Sequence, residues 1–120
     1  HLSIHSFTPV WDGKPRRTSI GLLYDPRRLD ERSFCNAWKA ALRQQCPGYS
    51  IHSNQPYKGI GDGFTTWLRR HLAATESYEG TYAGIEVEIN QAMIHPSTPS
   101  RIDAMAELLC HWPLQQLIQT

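Results

Sequence analysis

The sequence predicts an α/β fold in which a largely parallel sheet is covered by helices. Short apolar, β-branched runs alternate along the chain with stretches that have helical periodicity. Gly- and Pro-containing segments separate the two kinds of stretch. The resulting order is strand, loop, strand, helix, strand, loop, helix, strand, helix. Such an alternation of strands and helices is typical of parallel sheets with helices packed on them.

Four segments have the pattern of strands. They cover residues 2–7, 19–24, 49–53 and 81–89. In the first and last, apolar residues alternate with polar ones, and in the last the polar residues are Glu86 and Glu88. The second is a continuous apolar run, as in a strand buried on both faces. Residues 8–17 are predicted to be a loop, because Pro9, Asp12-Gly13 and Pro15 are turn formers.

The first helix is predicted over residues 27–45, where large apolar residues recur at helical spacing. Asp25 is expected to cap it and Pro26 to be its first residue. Cys46-Pro47-Gly48 should end it.

Two further helices are predicted nearer the C-terminus. The second starts at Phe64 and places five residues on one apolar face, which is expected to pack on the core: Phe64, Trp67, Leu68, His71 and Leu72. The third starts at Ser100, which begins a sequence similar to a capping box. Pro113 is predicted to break it, because proline removes a helical hydrogen bond.

Composition narrows the functional class. The chain has 120 residues, 12 basic and 11 acidic, for a net charge of +1, which argues against a nucleic-acid partner. It has no apolar run of about 18 residues, so no membrane association is expected. Its three cysteines are widely spaced and form no CxxC pair, which argues against a disulfide framework or a cysteine zinc site. A reducing, cytoplasmic location is expected.

The length corresponds to one domain. The chain nevertheless begins with His1-Leu2, already inside a strand pattern and without Met. We therefore expect it to be a piece of a longer protein.

Two predicted strands carry, near their ends, a side chain that could take part in metal binding or proton transfer. His5 follows Ile4 near the end of the first predicted strand, and Glu88 lies near the end of the last. In α/β sheets the ligand crevice lies at the carboxyl ends of the strands, where a His and a Glu could form a metal-and-base pair. The alternatives are a hydrogen-bonded structural histidine and a solvated face carrying Glu86 and Glu88. No HExxH or other complete metal motif is present.

The segment after the third predicted strand, Asn54-Gln-Pro-Tyr57-Lys-Gly59, has two interpretations. Its Pro and Gly are ordinary turn formers, so it could be a simple loop. Its Asn, Tyr and Lys could instead orient a carboxylate or a carbonyl group.

Four blocks of the sequence together resemble the N-formylglutamate amidohydrolase family. They are His5-Ser-Phe-Thr-Pro9, Ile20-Gly-Leu-Leu-Tyr-Asp-Pro-Arg27, Asn54-Gln-Pro-Tyr-Lys-Gly59 and Ile85-Glu-Val-Glu-Ile-Asn90. They occur in the family's order and at similar spacing, over roughly residues 2–92. The resemblance implies a fold similar to that of the zinc carboxypeptidases. That fold is a three-layer α/β/α sandwich with a mostly parallel sheet, which would be incomplete in this chain, and it holds one catalytic zinc.

The resemblance also implies roles for individual residues. His5 matches a zinc ligand, and Glu88 matches the general base that acts on the zinc-bound water. Arg16, with Arg17 as the alternative counterpart, matches a group near the substrate, as do Asn54 and Tyr57. Glu86 inherits no role. The implied substrate is a small N-acyl amino acid such as N-formylglutamate.

The chain departs from the family pattern in one major respect. The family's other two zinc ligands, a His and a Glu, lie in an N-terminal half that has no counterpart here, and a catalytic zinc needs three protein ligands. We therefore expect residues 1–120 to be the C-terminal half of a larger amidohydrolase domain, inactive alone and completed by the missing half. Gln55 and Ala92 also differ from the residues that many relatives carry, which bears on the substrate.

Two alternatives remain open. The chain could be a non-catalytic α/β fragment or binding module that lacks the full metal site and associates with itself or with a partner that completes the sheet. It could also belong to a zinc hydrolase of the same fold that acts on another amide or on a C-terminal peptide bond.

Overall fold

The computed structural model describes residues 1–73, 82–94 and 99–118, and its architecture is α/β, as predicted. The strands are β1 (Leu2–Phe7), β2 (Val10–Trp11), β3 (Lys14–Pro15), β4 (Ile20–Leu23), β5 (Ile51–Ser53) and β6 (Ile85–Asn90). The helices are α1 (Leu29–Gln45), α2 (Phe64–Ala73) and α3 (Pro99–Ile118), with a 3-10 turn at Gln91–Met93. No helix in these described ranges is long and apolar enough to cross a bilayer.

The main sheet has four strands in the order β1-β6-β4-β5. β1 is parallel to β6 and β4 is parallel to β5, whereas β4 and β6 are antiparallel. The sheet is therefore mixed, with two parallel pairings and one antiparallel pairing. β6 lies in the interior of the sheet, which agrees with the burial of five of its six residues. β1 is an edge strand, and most of its residues are exposed.

The apolar core lies on one face of the sheet, under α1 and α3. Period-2 alternation directs Ile85, Val87 and Ile89 to this face, together with Ile20 and Leu22 of β4. From the helices, the cluster receives Cys35, Trp38, Leu42, Met105 and Leu109. Glu86 and Glu88 consequently point to the opposite face of the sheet.

That opposite face is covered by residues 54–63 and by the start of α2. Thr65 of α2 donates a hydrogen bond of 2.5 Å to Glu86. The loop passes so close to β4 that a Cβ at Gly21 would lie 1.8 Å from the carbonyl oxygen of Gln55. Only glycine permits this approach, so the glycine in an otherwise apolar strand is explained by the loop above it.

A buried ion pair connects the two helices on either side of the start of β6. Glu31 of α1 is fully buried and accepts hydrogen bonds of 2.9 Å from both Nε and Nη2 of Arg69 in α2. Arg28 lies 3.1 Å from the same carboxylate. Arg69 also donates to the carbonyl of Gly84, at 2.8 Å, and Glu31 accepts from the Gly84 amide at 3.1 Å. The pair therefore holds the residue that immediately precedes β6.

The prediction of a loop over residues 8–17 is wrong in part. β2 and β3 form a small antiparallel hairpin, with Trp11 opposite Lys14. The two residues between the strands, Asp12 and Gly13, have φ angles of +50° and +69°. An Asp-Gly pair with positive φ at both positions matches the right-handed twist of a tight hairpin.

Three predicted helix boundaries are also wrong. Arg28, and not Asp25, precedes α1; Asp25 instead accepts the Arg27 amide at 3.0 Å in a local turn. α3 begins at Pro99, which places Ser100 inside the helix. α3 also continues through Pro113 to Ile118, because Pro113 is buried and its neighbour Trp112 packs on Phe34 of α1 at 5.1 Å.

The predicted core face of α2 is wrong as well. Its buried residues are Thr65 and Arg69, whereas Phe64 is 63% exposed and Trp67 is 50% exposed. His71 is exposed and stacks on Trp67, with ring centroids 3.8 Å apart. The ion pair of Arg69 with Glu31 orients the helix, and its aromatic residues pack on one another instead of on the core.

The last predicted strand is shorter than expected. Residue 81 lies outside the described residues, and β6 begins at Ile85.

Candidate active site

The structure places His5 and Glu88 side by side. They are register partners in the parallel pairing of β1 and β6, so their side chains leave the same face of neighbouring strands. On the other side of Glu88, its register partner in β4 is Gly21. Since Gly21 has no side chain, Glu88 has His5 as its only side-chain neighbour in register. The pair expected from the two strand ends is thus brought together.

Glu88 is a buried carboxylate with one oxygen that lacks a hydrogen-bond partner in the described structure. It is 7% exposed, and its Oε2 has no hydrogen-bond partner among the described residues. Burial raises the pKa of Glu88 above the usual 4.5, and the charge of Glu86 adds to this effect, whereas His5 and Arg16 oppose it. A buried polar atom without a partner is costly and is retained mainly where it has a role. A carboxylate with a raised pKa and an unpartnered oxygen is chemically able to accept a proton.

His5 is exposed, and its Nε2 lies 3.0 Å from Ser3 Oγ. Within residues 1–73, 82–94 and 99–118, no three His, Cys, Asp or Glu side chains are grouped so that they could hold a metal ion. A catalytic zinc requires three protein ligands, so these residues would supply one imidazole and need ligands from elsewhere.

Both backbone polar groups of Arg16, the amide and the carbonyl, form hydrogen bonds. Its amide donates to the Pro9 carbonyl at 2.8 Å, and its own carbonyl accepts from Nδ2 of Asn90 at 3.2 Å. The Asn90 side chain also donates to the Thr18 carbonyl at 3.0 Å and accepts from the Ala92 amide at 3.0 Å. Asn90, the last residue of β6, thus fixes Arg16 relative to the strand that carries Glu88.

The guanidinium group of Arg16 has aromatic neighbours and, among the residues that the structure describes, no acidic partner. Its Nη1 donates to the Tyr57 hydroxyl at 3.0 Å. The ion pairs found in the described ranges join Arg27 to Asp25, and Arg28 and Arg69 to Glu31, so none involves Arg16. A guanidinium that is close enough to lower the pKa of Glu88 but is bonded to no carboxylate is suited to an incoming anion.

Asn54 and Tyr57 lie on the loop that covers this face. Asn54 adopts a left-handed conformation, with φ of +54°, and its Oδ1 accepts from the amides of Tyr24 at 3.1 Å and Gly59 at 3.0 Å. The amide oxygen of Asn54 therefore shapes the loop. Tyr57 is exposed, and its hydroxyl accepts a hydrogen bond from Arg16.

A cavity of about 370 Å³ opens over the two carboxylates of β6. Its lining residues are Leu23, Tyr57, Lys58, Gly59, Gly61, Asp62, Gly63, Glu86 and Glu88. The cavity is of the size that small-molecule sites require. The Glu88 side chain forms part of the wall of this cavity.

Sequence reasoning missed two residues that shape this site, Gly21 and Asn90, and a buried ion pair outside it that holds the residue before β6, Glu31 with Arg69. Gly21 had a usable signal, since a glycine inside an apolar strand indicates a close backbone approach. Asn90 also had one, as a polar residue that ends a buried strand. The pairing of Glu31 with Arg69 spans 38 positions and leaves no local pattern.

Comparisons with known proteins support the fold. No family model and no curated protein matches the chain. The crystal structure of gene product Atu2144 from Agrobacterium tumefaciens is similar, with a TM-score of 0.61 and 25% sequence identity over 99% of this chain. The present chain spans 43% of the length of that protein's chain.

Proposed function

We propose that this chain carries part of the active site of a zinc-dependent amidohydrolase that cleaves an N-acyl amino acid such as N-formylglutamate. The observation that carries the proposal is the pair formed by Glu88 and His5. A buried carboxylate with an unpartnered oxygen lies in register with an exposed imidazole on the same face of the sheet. The resemblance of the four sequence blocks to the amidohydrolase family supports the same assignment.

In this proposal Glu88 is the general base. Zinc, when bound, supplies a Lewis acid that polarises the scissile carbonyl and acidifies water. Glu88 accepts the proton of the attacking water and passes it to the leaving nitrogen. Cleavage of the amide bond gives formate and a free amino group. Burial favours this role, because a carboxylate with a raised pKa is a stronger base.

Arg16 is proposed to bind the carboxylate of the substrate. Its planar guanidinium can form two parallel hydrogen bonds to a carboxylate, which fixes the orientation of the amino acid. Tyr57 holds the guanidinium through its hydroxyl, and Asn54 shapes the loop that carries Tyr57.

The metal site requires residues beyond those described. His5 would be one zinc ligand, and two more would come from a segment or a partner that lies against β1. β1 is one of the two edge strands of the described sheet, and Leu2 and Ile4 on it are exposed, so an added strand would find both backbone groups and apolar side chains there. The greater length of the similar solved structure supports such an addition. Residues 1–120 alone are expected to bind zinc poorly and to hydrolyse nothing.

We also propose a reducing, cytoplasmic location. The three cysteines are unpaired, and Cys35 is buried as a core residue. This usage is typical of proteins in reducing compartments.

Formate release from N-formyl-L-glutamate by the intact protein, with zinc supplied, tests the proposal. We expect release that stops when a chelator removes the metal. His5→Ala should lower the zinc content. His111 is exposed on α3, so His111→Ala serves as the matched control and should leave the zinc content unchanged. Zinc bound through His5 without formate release would favour another amide substrate. An intact protein that binds no zinc would contradict the proposal and favour a non-catalytic module.

A further inference from the structure

We propose that Trp11, on the β2–β3 hairpin, is a positioning residue that holds Arg16 ready for a carboxylate. This inference rests on the proposed function, because it concerns the same anion-binding group. Neither the strand pattern nor the resemblance assigns Trp11 a role.

Three aromatic rings surround the guanidinium of Arg16. The distances from its Cζ to the ring centroids are 5.2 Å for Trp11, 5.3 Å for Tyr57 and 5.5 Å for Phe7. All three lie within the range of cation–π attraction, and tryptophan is the strongest partner of this kind. Trp11 is the shortest of the three contacts.

Trp11 is 65% exposed, so it contributes little to the core. Its place is set by the hairpin, whose Asp12-Gly13 turn has positive φ at both residues. The hairpin continues directly into Arg16, and the Arg16 amide donates to the Pro9 carbonyl just before β2. Trp11 and Arg16 therefore belong to the same short hairpin segment, within which the indole ring contacts the guanidinium group.

The guanidinium of Arg16 keeps most of its five N–H donors for a ligand. In the described ranges its one hydrogen bond goes to the Tyr57 hydroxyl. A carboxylate approaching in the guanidinium plane could then form a bidentate pair. Fixing the arginine rotamer before binding reduces the conformational entropy that is lost when the anion arrives. Removal of the indole should therefore weaken anion binding without altering the residues beside the scissile bond.

The test is the affinity of the intact protein for glutarate, which has the carboxylates of the proposed substrate but no amide to cleave. Trp11→Ala should weaken binding by about three- to fivefold, the size expected for an exposed cation–π contact. Trp11→Phe should restore binding to within about twofold of the wild type, since a ring is again present. Trp67→Ala removes another exposed tryptophan, on α2, and should leave the affinity unchanged.

Arg16→Gln is the reference variant and should abolish measurable binding. If it does so while Trp11→Ala binds like the wild type, the role of Trp11 is refuted and the role of Arg16 stands. If Arg16→Gln itself binds like the wild type, both this inference and the proposed substrate contact of Arg16 are refuted, whereas zinc-dependent formate release remains a separate measurement. Should Trp11→Ala lose its far-UV circular dichroism, Trp11→Leu replaces it. Trp11→Leu keeps apolar bulk without an aromatic face, so wild-type affinity in that folded variant would refute the role of Trp11.

Discussion

Replacing Arg69 with methionine should strongly destabilise the fold, although Arg69 lies outside the candidate active site. Its guanidinium forms two bonds of 2.9 Å to Glu31, whose side chain is fully buried. It also donates to the carbonyls of Gly59 at 2.7 Å and Gly84 at 2.8 Å. Methionine keeps most of the apolar volume and removes every one of these donors.

The size of the stability loss depends on how well the buried Glu31 carboxylate is still compensated in the variant. Removing one partner of a buried ion pair costs roughly 3–5 kcal/mol, because the other charge stays buried without compensation. Glu31 retains the amides of Asp25 and Gly84 and the partly exposed Arg28, so the lower end of that range applies. We therefore expect Arg69→Met to reduce the free energy of unfolding by about 3 kcal/mol.

Urea unfolding followed by far-UV circular dichroism measures this loss. Arg70→Met, at the adjacent exposed position of α2, is the matched control and should change stability by less than about 0.5 kcal/mol. The double variant Glu31→Gln/Arg69→Met should be more stable than Arg69→Met alone, because a neutral amide replaces a buried carboxylate that has lost its main ion-pair partner. A loss below about 1 kcal/mol for Arg69→Met, or a double variant less stable than the single one, would refute the reasoning.

Three further predictions concern the strands and the thiols. Gly21→Ala should lower the melting temperature markedly, because the added Cβ would lie 1.8 Å from a backbone oxygen. Gly48→Ala is the control and should leave the melting temperature unchanged, because no atom lies within 4 Å of its added Cβ. Equal melting temperatures for the two variants would contradict the close packing at Gly21. Burial raises the pKa of Glu88 above 4.5, so the folded state binds its proton more tightly than the unfolded chain and stability falls as pH rises above 4.5 through the folded pKa. Glu88→Gln should therefore be more stable than the wild type at neutral pH, with a gap that closes below pH 4.5 in urea titrations; a constant gap would count against a raised pKa. Burial raises the pKa of Cys35 to about 12. A thiol reagent should therefore label exposed Cys110 rapidly and Cys35 only after unfolding. Fast labelling of Cys35 in the native protein would contradict its burial.

Local patterns were sufficient for the parts of the fold that are governed by alternation and burial. β6 follows from period-2 alternation, which places Val87 in the core and Glu88 on the opposite face. The juxtaposition of His5 and Glu88 was expected because both lie near the ends of predicted strands, and the structure makes them register partners. The role of Glu88 as base and of His5 as zinc ligand stays a prediction.

Long-range contacts explain what could not be predicted. The orientation of α2 depends on the pairing of Arg69 with Glu31, and neither residue indicates the other in the sequence. The aromatic residues of α2 suggested a core face, but the buried ion pair turned that face outward. α3 continues through Pro113 because tertiary packing around Trp112 outweighs the lost hydrogen bond, a balance that helix propensity does not reveal.

The most direct test of the central claim compares Glu88→Gln with Glu86→Gln in the intact, zinc-loaded protein. Both carboxylates leave the same face of β6 and line the same cavity, but the Glu86 carboxylate accepts a hydrogen bond from Thr65, whereas one oxygen of Glu88 has no partner in the described structure. If Glu88 is the general base, its variant should keep its zinc and lose roughly a hundredfold or more in the rate of formate release from N-formyl-L-glutamate. Glu86→Gln should retain most of the activity. Full turnover by Glu88→Gln would contradict the account.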